Sequence, residues 1–192
     1  MLSIQGAVSE HITSVKHAFK EMDICGTVVV VRHNEHIDEI DALIIPGGES
    51  TTISKILAKS GMYDAIVQRV KDNTLPIIGT CAGCVLLAKK IVGNRGEITS
   101  LRVMDIEVER NAFGRQKESF EKSIEIKGLS KPYHAVFIRA PVIKKVWGKG
   151  KILATIDKKI IAARQKKFLA FSFHPELADD FRLHIYFLEM FV

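Results

Sequence analysis

The sequence has few cysteines and no long uninterrupted apolar run, and both shortages exclude classes of protein. Three cysteines in 192 residues, Cys25, Cys81 and Cys84, are too few for the disulfide framework of a small secreted domain. No apolar run reaches the roughly 18 residues that a membrane-spanning helix needs, and no basic segment precedes an apolar one at the start of the chain. We therefore expect a cytoplasmic protein without a signal peptide or a membrane partner.

Aromatic residues are also scarce, at 7% of the chain, and they do not interleave with the basic residues. The net charge is +6, but the basic residues stand as scattered pairs that flank apolar runs, as in solvated turns: Lys89–Lys90, Lys144–Lys145, Lys158–Lys159 and Lys166–Lys167. The stacking platform of a nucleic-acid-binding protein is therefore missing, and we expect no nucleic-acid partner. The positive charge would instead steer a small anionic ligand towards the protein.

Apolar residues are abundant, at 47%, and they follow two patterns. Through residue 92, short apolar runs such as Thr27–Val31 and Ala42–Ile45 alternate with segments of helical spacing, which is typical of a parallel sheet covered by helices. The second half contains short strands separated by glycine, proline and lysine pairs, which predict antiparallel hairpins. A last helix is predicted over Asp179–Val192. We therefore predict an α/β fold in a single domain spanning residues 1–192.

The most specific signal lies in the stretch Leu75–Ala88. A buried strand leads into Gly79-x-Cys81-x-Gly83, which has the form of a nucleophile elbow with cysteine in place of serine. A sharp strand-to-helix turn leaves no room for side chains at the two glycines, and it places the thiol at a helix N-terminus, where the thiolate is favoured. The helix is predicted from the spacing of Val85, Leu86, Ala88 and Ile91. A glycine-bounded turn around a small buried cysteine explains this stretch equally well when it is taken alone.

A thiol nucleophile needs a base, and the base needs an orienting group. His174 stands out among seven histidines because it ends the most apolar strand, Phe168–Phe173, and Glu176 follows close enough to reach its imidazole. Cys81, His174 and Glu176 are thus a candidate triad of nucleophile, general base and orienter. Taken singly, His174 is also explained as an ordinary strand-end histidine and Glu176 as a helix-capping carboxylate. All three lie at strand ends, which an open α/β sheet can bring to one edge.

Acyl transfer also requires hydrogen-bond donors for the oxyanion. The N–H of Ala82, directly after the nucleophile, is one candidate. Gly47 and Gly48 are the others, because glycine lets a backbone N–H approach a substrate closely and tolerates either orientation of the peptide between them. Alone, the segment Pro46-Gly47-Gly48 is more typical of a plain turn.

A second interpretation comes from the spacing of Cys81 and Cys84, which is that of a C-x-x-C redox dithiol. The candidate base at His174 weakens this interpretation, because a redox pair does not require one. No second cysteine pair or spaced histidine pair completes a metal site. We therefore expect neither a metal nor a cofactor.

These motifs together resemble those of the class I, triad-type glutamine amidotransferases, and among them the glutaminase subunits of pyridoxal 5'-phosphate synthase. The matching blocks cover nearly the whole chain: Gln5–Ala7, Pro46–Thr52, Gly79–Gly83, Arg110–Gln116, Phe137–Pro141 and His174–Glu176. The block Arg110–Gln116 is the most specific of them. Cys84 departs from the family pattern, in which a larger apolar residue is expected.

The resemblance implies a flavodoxin-like three-layer sandwich and the hydrolysis of L-glutamine through a thioester on Cys81. It also implies that the ammonia passes to a synthase subunit, a (β/α)8 barrel that makes pyridoxal phosphate. The family positions for glutamine contacts correspond to Gly48, Glu49, Ser50, Arg110, Ile138 and Arg139. An arginine is a good clamp for the α-carboxylate of glutamine, whereas Ile138 can contribute only its backbone. The alternatives are a γ-glutamyl hydrolase or another stand-alone thiol hydrolase, and the redox module.

Overall fold

The structure is a computed structural model that describes residues 1–110, 112–113 and 119–191. Its α-helices are α1 (Val8–Glu21), α2 (Ser50–Lys59), α3 (Met62–Lys71), α4 (Ala82–Leu87) and α5 (Arg182–Leu188). Its strands are β1 (Leu43–Ile45), β2 (Ile77–Thr80), β3 (Ala88–Ile91), β4 (Met104–Glu109), β5 (Ser119–Ile124), β6 (Tyr133–Ile138), β7 (Val142–Val146), β8 (Lys151–Ile156), β9 (Lys159–Gln165) and β10 (Phe168–Phe171). Short 3-10 helices span Asn34–Ile37 and Pro175–Leu177.

The main sheet has eight strands and joins a parallel part to an antiparallel part. Seven strands follow the order β1-β2-β10-β9-β7-β4-β3, and β8 pairs with β9. β2 lies between β1 and β10 and is parallel to both, whereas β9 and β7 connect β10 to β4 through antiparallel pairs. The predicted α/β class, with its parallel core and its antiparallel additions in the second half, is confirmed.

Helices cover both faces of the parallel strands because successive strand residues point to opposite sides. On one side, Ile45 and Ile77 belong to the core cluster that contains Ile53 of α2 and Ile66 of α3. On the other side, residues of all three parallel strands join side chains of α1 and α5 in a second cluster: Ile44, Ile78, Leu169, Val15, Leu183 and Phe187. The result is the predicted three-layer sandwich.

A separate hairpin, β5 paired antiparallel with β6, packs against the second cluster. Tyr133, Ala135 and Phe137 of β6 are buried there, and Phe137 contacts the ring of Phe173. The hairpin thus holds the segment that follows β10, in which the candidate base His174 lies.

Two local predictions were wrong for the same reason. Thr27–Val31 does not form a strand, although Val31 makes one parallel bridge with Leu2, because the neighbouring segment turns into bends from Ile4 onwards. The helix after the elbow ends at Leu87, and Ala88–Ile91 instead forms β3, parallel to β4. In both places the available hydrogen-bonding partner, and not the local pattern, decided the structure.

The last helix, α5, is shorter than the predicted Asp179–Val192, and Val192 lies outside the described residues. Its buried residues include Leu183, His184 and Phe187, so a histidine occupies the core-facing side. Among the described residues, no helix combines the length and the apolar character needed to cross a bilayer.

Candidate active site

Cys81 occupies a strained turn between β2 and α4. Its backbone has φ 49° and ψ −105°, which is unusual for a residue other than glycine. A conformation of this kind costs about 1–3 kcal/mol and is typical of functional sites. The turn is held by a hydrogen bond of 2.8 Å from the Cys81 N–H to the carbonyl of Phe171, at the end of β10. Cys81 and the segment after β10 therefore share one edge of the sheet.

The two elbow glycines are required by the packing of this turn. A Cβ added to Gly83 would lie 2.1 Å from the carbonyl oxygen of Ile45, and one added to Gly79 would lie 2.5 Å from the carbonyl group of Gly83. Both obstacles are backbone atoms, which cannot rotate away as a flexible side chain can. The steric reason predicted from the sequence for both glycines is therefore found in the structure.

The His174–Glu176 segment is fixed by β6. The His174 N–H donates to the carbonyl of Val136 at 2.8 Å, and the Tyr133 hydroxyl donates to the carbonyl of Pro175 at 3.2 Å. Pro175 sits in the first turn of the 3-10 helix, where its missing N–H carries no penalty. These contacts place the imidazole and the carboxylate at the edge that carries Cys81.

The structure brings Cys81, His174 and Glu176 together. The Nδ1 atom of His174 lies 2.8 Å from Oε1 of Glu176, and both the imidazole and Cys81 border the same point at Gly47. Burial would lower the pKa of His174, but hydrogen bonds to Cys81 and Glu176, together with their charges, raise it to about 10. Burial would likewise raise the pKa of Glu176, but His11 and His174 lower it to about 2. The arrangement favours a carboxylate beside an imidazolium.

The two cysteines of the C-x-x-C spacing have different environments. Cys81 is 9% exposed and its Sγ lies 3.8 Å from the carbonyl oxygen of Ile138. Cys84 is fully buried in the apolar core, where desolvation, with a smaller contribution from Cys81, raises the pKa of its thiol. Cys84 therefore lacks the accessible, thiolate-favouring environment of a reactive cysteine.

The predicted oxyanion-hole glycines lie beside the triad. A Cβ on Gly47 would lie 2.6 Å from Cε1 of His174 and 3.4 Å from Cβ of Cys81, so only glycine fits there. Gly48 has φ 140° and packs against the side chain of Gln5. The carbonyl oxygen of Gly47 is directed at Gly6, where an added Cβ would lie 2.1 Å from it. Ala82 begins α4, so its N–H has no intrahelical partner.

Glu49 and Ser50 form the start of α2. Ser50 is the first helical residue, and the cap is the side chain of Glu49, which accepts from the N–H groups of Thr51 and Thr52 at 3.1 and 2.7 Å. Partial burial would raise the pKa of Glu49, but hydrogen bonds from these threonines lower it to about 2. Its backbone N–H donates to Oε1 of Gln5 at 2.8 Å. Roles for Glu49 and Ser50 in substrate binding stay predictions.

The two predicted arginines are more exposed than the candidate triad. Arg110 contacts Oε2 of Glu97 at 3.2 Å and Oγ1 of Thr51 at 3.5 Å, and its side chain is 31% exposed. Arg139 is exposed and has φ 42°. Ile138 presents its backbone carbonyl to Cys81, as the prediction allowed. Of the block Arg110–Gln116, residues 111 and 114–116 lie outside the described residues.

Sequence reasoning missed a buried polar group behind the triad. The side chain of His11, on α1, contacts Glu176, Thr80 and His184. A signal for it was present, because His11, Ser14, Val15 and Ala18 are the buried residues of α1 and recur at helical spacing. No group of three or more histidine, cysteine, aspartate or glutamate residues in the described part of the chain is arranged to hold a metal ion.

Comparison with known proteins identifies the family. The model of the SNO glutamine amidotransferase family matches residues 1–192. The chain belongs to this family. A relative from Brevibacillus brevis, named pyridoxal 5'-phosphate synthase subunit PdxT, is 49% identical over 190 residues, which are 99% of this chain and 95% of the relative. A relative of the same name from Pyrococcus furiosus is 42% identical over 100% of this chain and 98% of its own.

The fold agrees with that of a family member. A crystal structure described as a glutamine amidotransferase superposes with a TM-score of 0.88 at 46% identity, covering 98% of this chain and 96% of the other. The family expected from the motifs is therefore confirmed over the full length of the sequence.

Proposed function

We propose that this chain is a glutaminase that hydrolyses L-glutamine to L-glutamate and ammonia and serves as a subunit of a pyridoxal 5'-phosphate synthase. The observation that carries the proposal is the triad: a cysteine in a strained elbow, beside a histidine whose Nδ1 lies 2.8 Å from a buried carboxylate. Membership of the glutamine amidotransferase family and the names of the full-length relatives support the substrate and the assembly.

In the first half of the reaction, the Cys81 thiolate attacks the side-chain carbonyl carbon of glutamine. The carbonyl oxygen becomes an oxyanion, for which the N–H groups of Ala82 and of the Gly47–Gly48 segment are the proposed donors. The His174 imidazolium gives its proton to the amide nitrogen, and the C–N bond breaks to release ammonia. A γ-glutamyl thioester on Cys81 and a neutral imidazole remain.

In the second half, water attacks the thioester carbon. His174 takes a proton from that water, the C–S bond breaks, and the Cys81 thiolate leaves as glutamate forms. Glu176 holds the N–H of His174 Nδ1 throughout, so the same tautomer serves both steps and the imidazolium is stabilised when it forms. Atoms balance as glutamine plus water giving glutamate plus ammonia, and no cofactor is consumed.

The remaining residues have proposed roles in holding glutamine. Arg110 and Arg139 provide the positive charge for the α-carboxylate, and the carbonyl of Ile138 together with Gly48, Glu49 and Ser50 lines the rest of the site. These assignments come from the family resemblance, and the 3.8 Å contact between the Ile138 carbonyl and Sγ of Cys81 supports the one for Ile138.

The proposed partner is a (β/α)8 barrel subunit that uses the ammonia to make pyridoxal phosphate. Docking is proposed to raise glutaminase activity by favouring the orientation of the Gly47–Gly48 peptide in which an N–H faces the oxyanion. One such donor contributes roughly 3 kcal/mol, or about a hundredfold in rate. The cytoplasmic location expected from the sequence stays a prediction.

The test is the steady-state release of ammonia from glutamine by the pure chain during titration with the barrel subunit of its source organism. We expect low activity without the partner and a saturable rise with it. Full activity of the chain alone, with no rise, would favour a stand-alone hydrolase. A γ-glutamyl peptide assayed in parallel tests that alternative directly, since a γ-glutamyl hydrolase would prefer it to glutamine.

A further inference from the structure

Two further histidines lie buried behind the candidate triad and have no part in the reaction as described. His11 of α1 is 0% exposed, and His184 of α5 is 1% exposed. Nδ1 of His11 lies 3.1 Å from Nε2 of His184. Nε2 of His11 lies 3.1 Å from Oε2 of Glu176 and 3.2 Å from Oγ1 of Thr80. The two histidines therefore extend the line of contacts from Cys81 through His174 and Glu176 into the core.

The carboxylate fixes the proton on the first ring. A ring nitrogen 3.1 Å from a carboxylate oxygen must carry hydrogen, because two lone pairs at that distance repel each other. Nε2 of His11 is therefore an N–H. Its hydrogen bond is to the Thr80 hydroxyl at 3.2 Å, and Oε2 of Glu176, at 3.1 Å, lies beside this N–H without the direction of a hydrogen bond.

The position of the hydrogen on the second ring, that of His184, then follows. Burial, with a smaller contribution from the charge of His11, lowers the pKa of His184 to about 3, so this imidazole is neutral and has one N–H. Its Nδ1 is buried and has no hydrogen-bond partner among the described residues. A buried lone pair is more readily left unpaired than a buried N–H, so the hydrogen lies on Nε2 and is donated to Nδ1 of His11.

One consistent pattern of donors results. His184 donates to His11, Nε2 of His11 lies in ion-pair contact at 3.1 Å with Oε2 of Glu176, and His174 donates to Oε1 of the same carboxylate. We propose that His11 is a positioning residue for the proposed reaction: it holds the second oxygen of Glu176, so that the first oxygen holds the His174 ring in the tautomer that faces Cys81. His184 in turn orients the ring of His11.

The contact between His11 and Glu176 has an electrostatic consequence as well as a geometric one. Glu176 must stay ionised in a buried site, and the contact with His11 is among the causes that keep its pKa low. The titratable groups facing His11 are His184 on α5, Glu176 on the 3-10 helix and, through Glu176, His174 and Tyr133. Without the His11 contact the carboxylate can rotate about its side-chain bonds, so it orients the His174 imidazolium beside Cys81 less firmly.

The test replaces His11 with glutamine or asparagine, whose amide N–H groups reach the positions of different ring nitrogens of His11. In His11→Gln the amide nitrogen can reach the position of Nε2, which contacts Glu176, whereas in His11→Asn it reaches only the position of Nδ1. Two quantities are measured: kcat for glutamine with the barrel subunit bound, and the pH dependence of Cys81 alkylation by iodoacetamide. The same two substitutions at His17, an exposed histidine on α1, are the matched control.

We expect His11→Gln to stay within about threefold of the wild-type kcat and His11→Asn to lose roughly tenfold, with the alkylation midpoint of the Asn variant about one pH unit higher. The His17 variants should change neither quantity. Equal effects of Asn and Gln, or an unshifted midpoint in His11→Asn, would overturn the proposal. Because alkylation requires no glutamine, it decides the role of His11 even if the wild-type chain fails to hydrolyse glutamine, which would refute the proposed function alone.

Discussion

Two regions of the site differ in how firmly their side chains are held. One is the triad corner, formed by Cys81, His174 and Glu176, and the other is the arginine rim, formed by Arg110 and Arg139. His174 and Glu176 are 8% and 5% exposed, and each contacts at least two other side chains of the site. Arg139 is exposed and has no side-chain partner within the described residues, and Arg110 makes only partly exposed contacts. The groups that would move protons are buried and held by several contacts, whereas the groups that would hold the substrate's carboxylate are more exposed.

The largest expected effect comes from removing the nucleophile. Cys81→Ala should lower glutaminase activity by roughly a thousandfold or more, because the thioester can no longer form. Cys84→Ala should keep activity and cost about 1 kcal/mol of stability through its small buried cavity. Ammonia release and mass-spectrometric mapping of a glutamine-analogue alkylator measure both. A label on Cys84 or Cys25, with Cys81 unlabelled, would contradict the assignment.

The tight packing of the triad corner is tested by adding a methyl group at Gly83. Gly83→Ala should destabilise the protein by about 3 kcal/mol or more, because its Cβ would lie 2.1 Å from the backbone oxygen of Ile45. Gly93→Ala is the control: no atom lies within 4 Å of its added Cβ, so only the strain of φ 68° remains, at about 1 kcal/mol. Urea unfolding gives both values. Similar losses in the two variants would show that the corner is not tightly packed.

Substitutions in the arginine rim should have a smaller effect, and it should fall on KM and less on kcat. Arg110→Lys and Arg139→Lys should each raise KM for glutamine about tenfold and change kcat less, because lysine keeps the charge but loses the planar fork. Arg164→Lys is the control, since that arginine contacts Tyr186 instead. Steady-state kinetics with the partner bound decides the point. A fall in kcat at constant KM would place the arginines with the triad and remove the contrast.

A last effect concerns the pH dependence of stability. The pKa of His184 is lowered to about 3 in the fold, so as pH falls this histidine binds a proton in the unfolded chain before it does in the folded one. The free energy of unfolding therefore decreases as pH falls below about 6.5. His184→Leu should flatten this dependence by up to about 1.4 kcal/mol per pH unit between pH 6.5 and 4.5, above the window in which Glu176 titrates. Unfolding free energies at several pH values, with His17→Leu as the control, measure it. An unchanged slope would mean that His184 is protonated in the fold.

Much of the site could be predicted because its parts are local. Gly79, Cys81 and Gly83 form one turn, and His174 and Glu176 are two residues apart, so short-range sterics and hydrogen bonding already restrict them. Glu49 was not predicted as the cap of α2, because glutamate is not among the common capping residues, although the threonines at N2 and N3 suit its longer carboxylate. His11 was missed because its partners lie 69 to 173 residues away.

By itself the sequence determined the elbow, the residues of the candidate triad and the alternation that makes a covered parallel sheet, because side-chain size, φ preference and periodicity act over a few residues. Only the tertiary structure decided that Ala88–Ile91 pairs with β4, that Thr27–Val31 stays out of the sheet, and that the carboxylate of Glu176 lies against His11. These depend on which distant backbone or side chain supplies the hydrogen-bonding partner, and packing of the whole chain sets that choice.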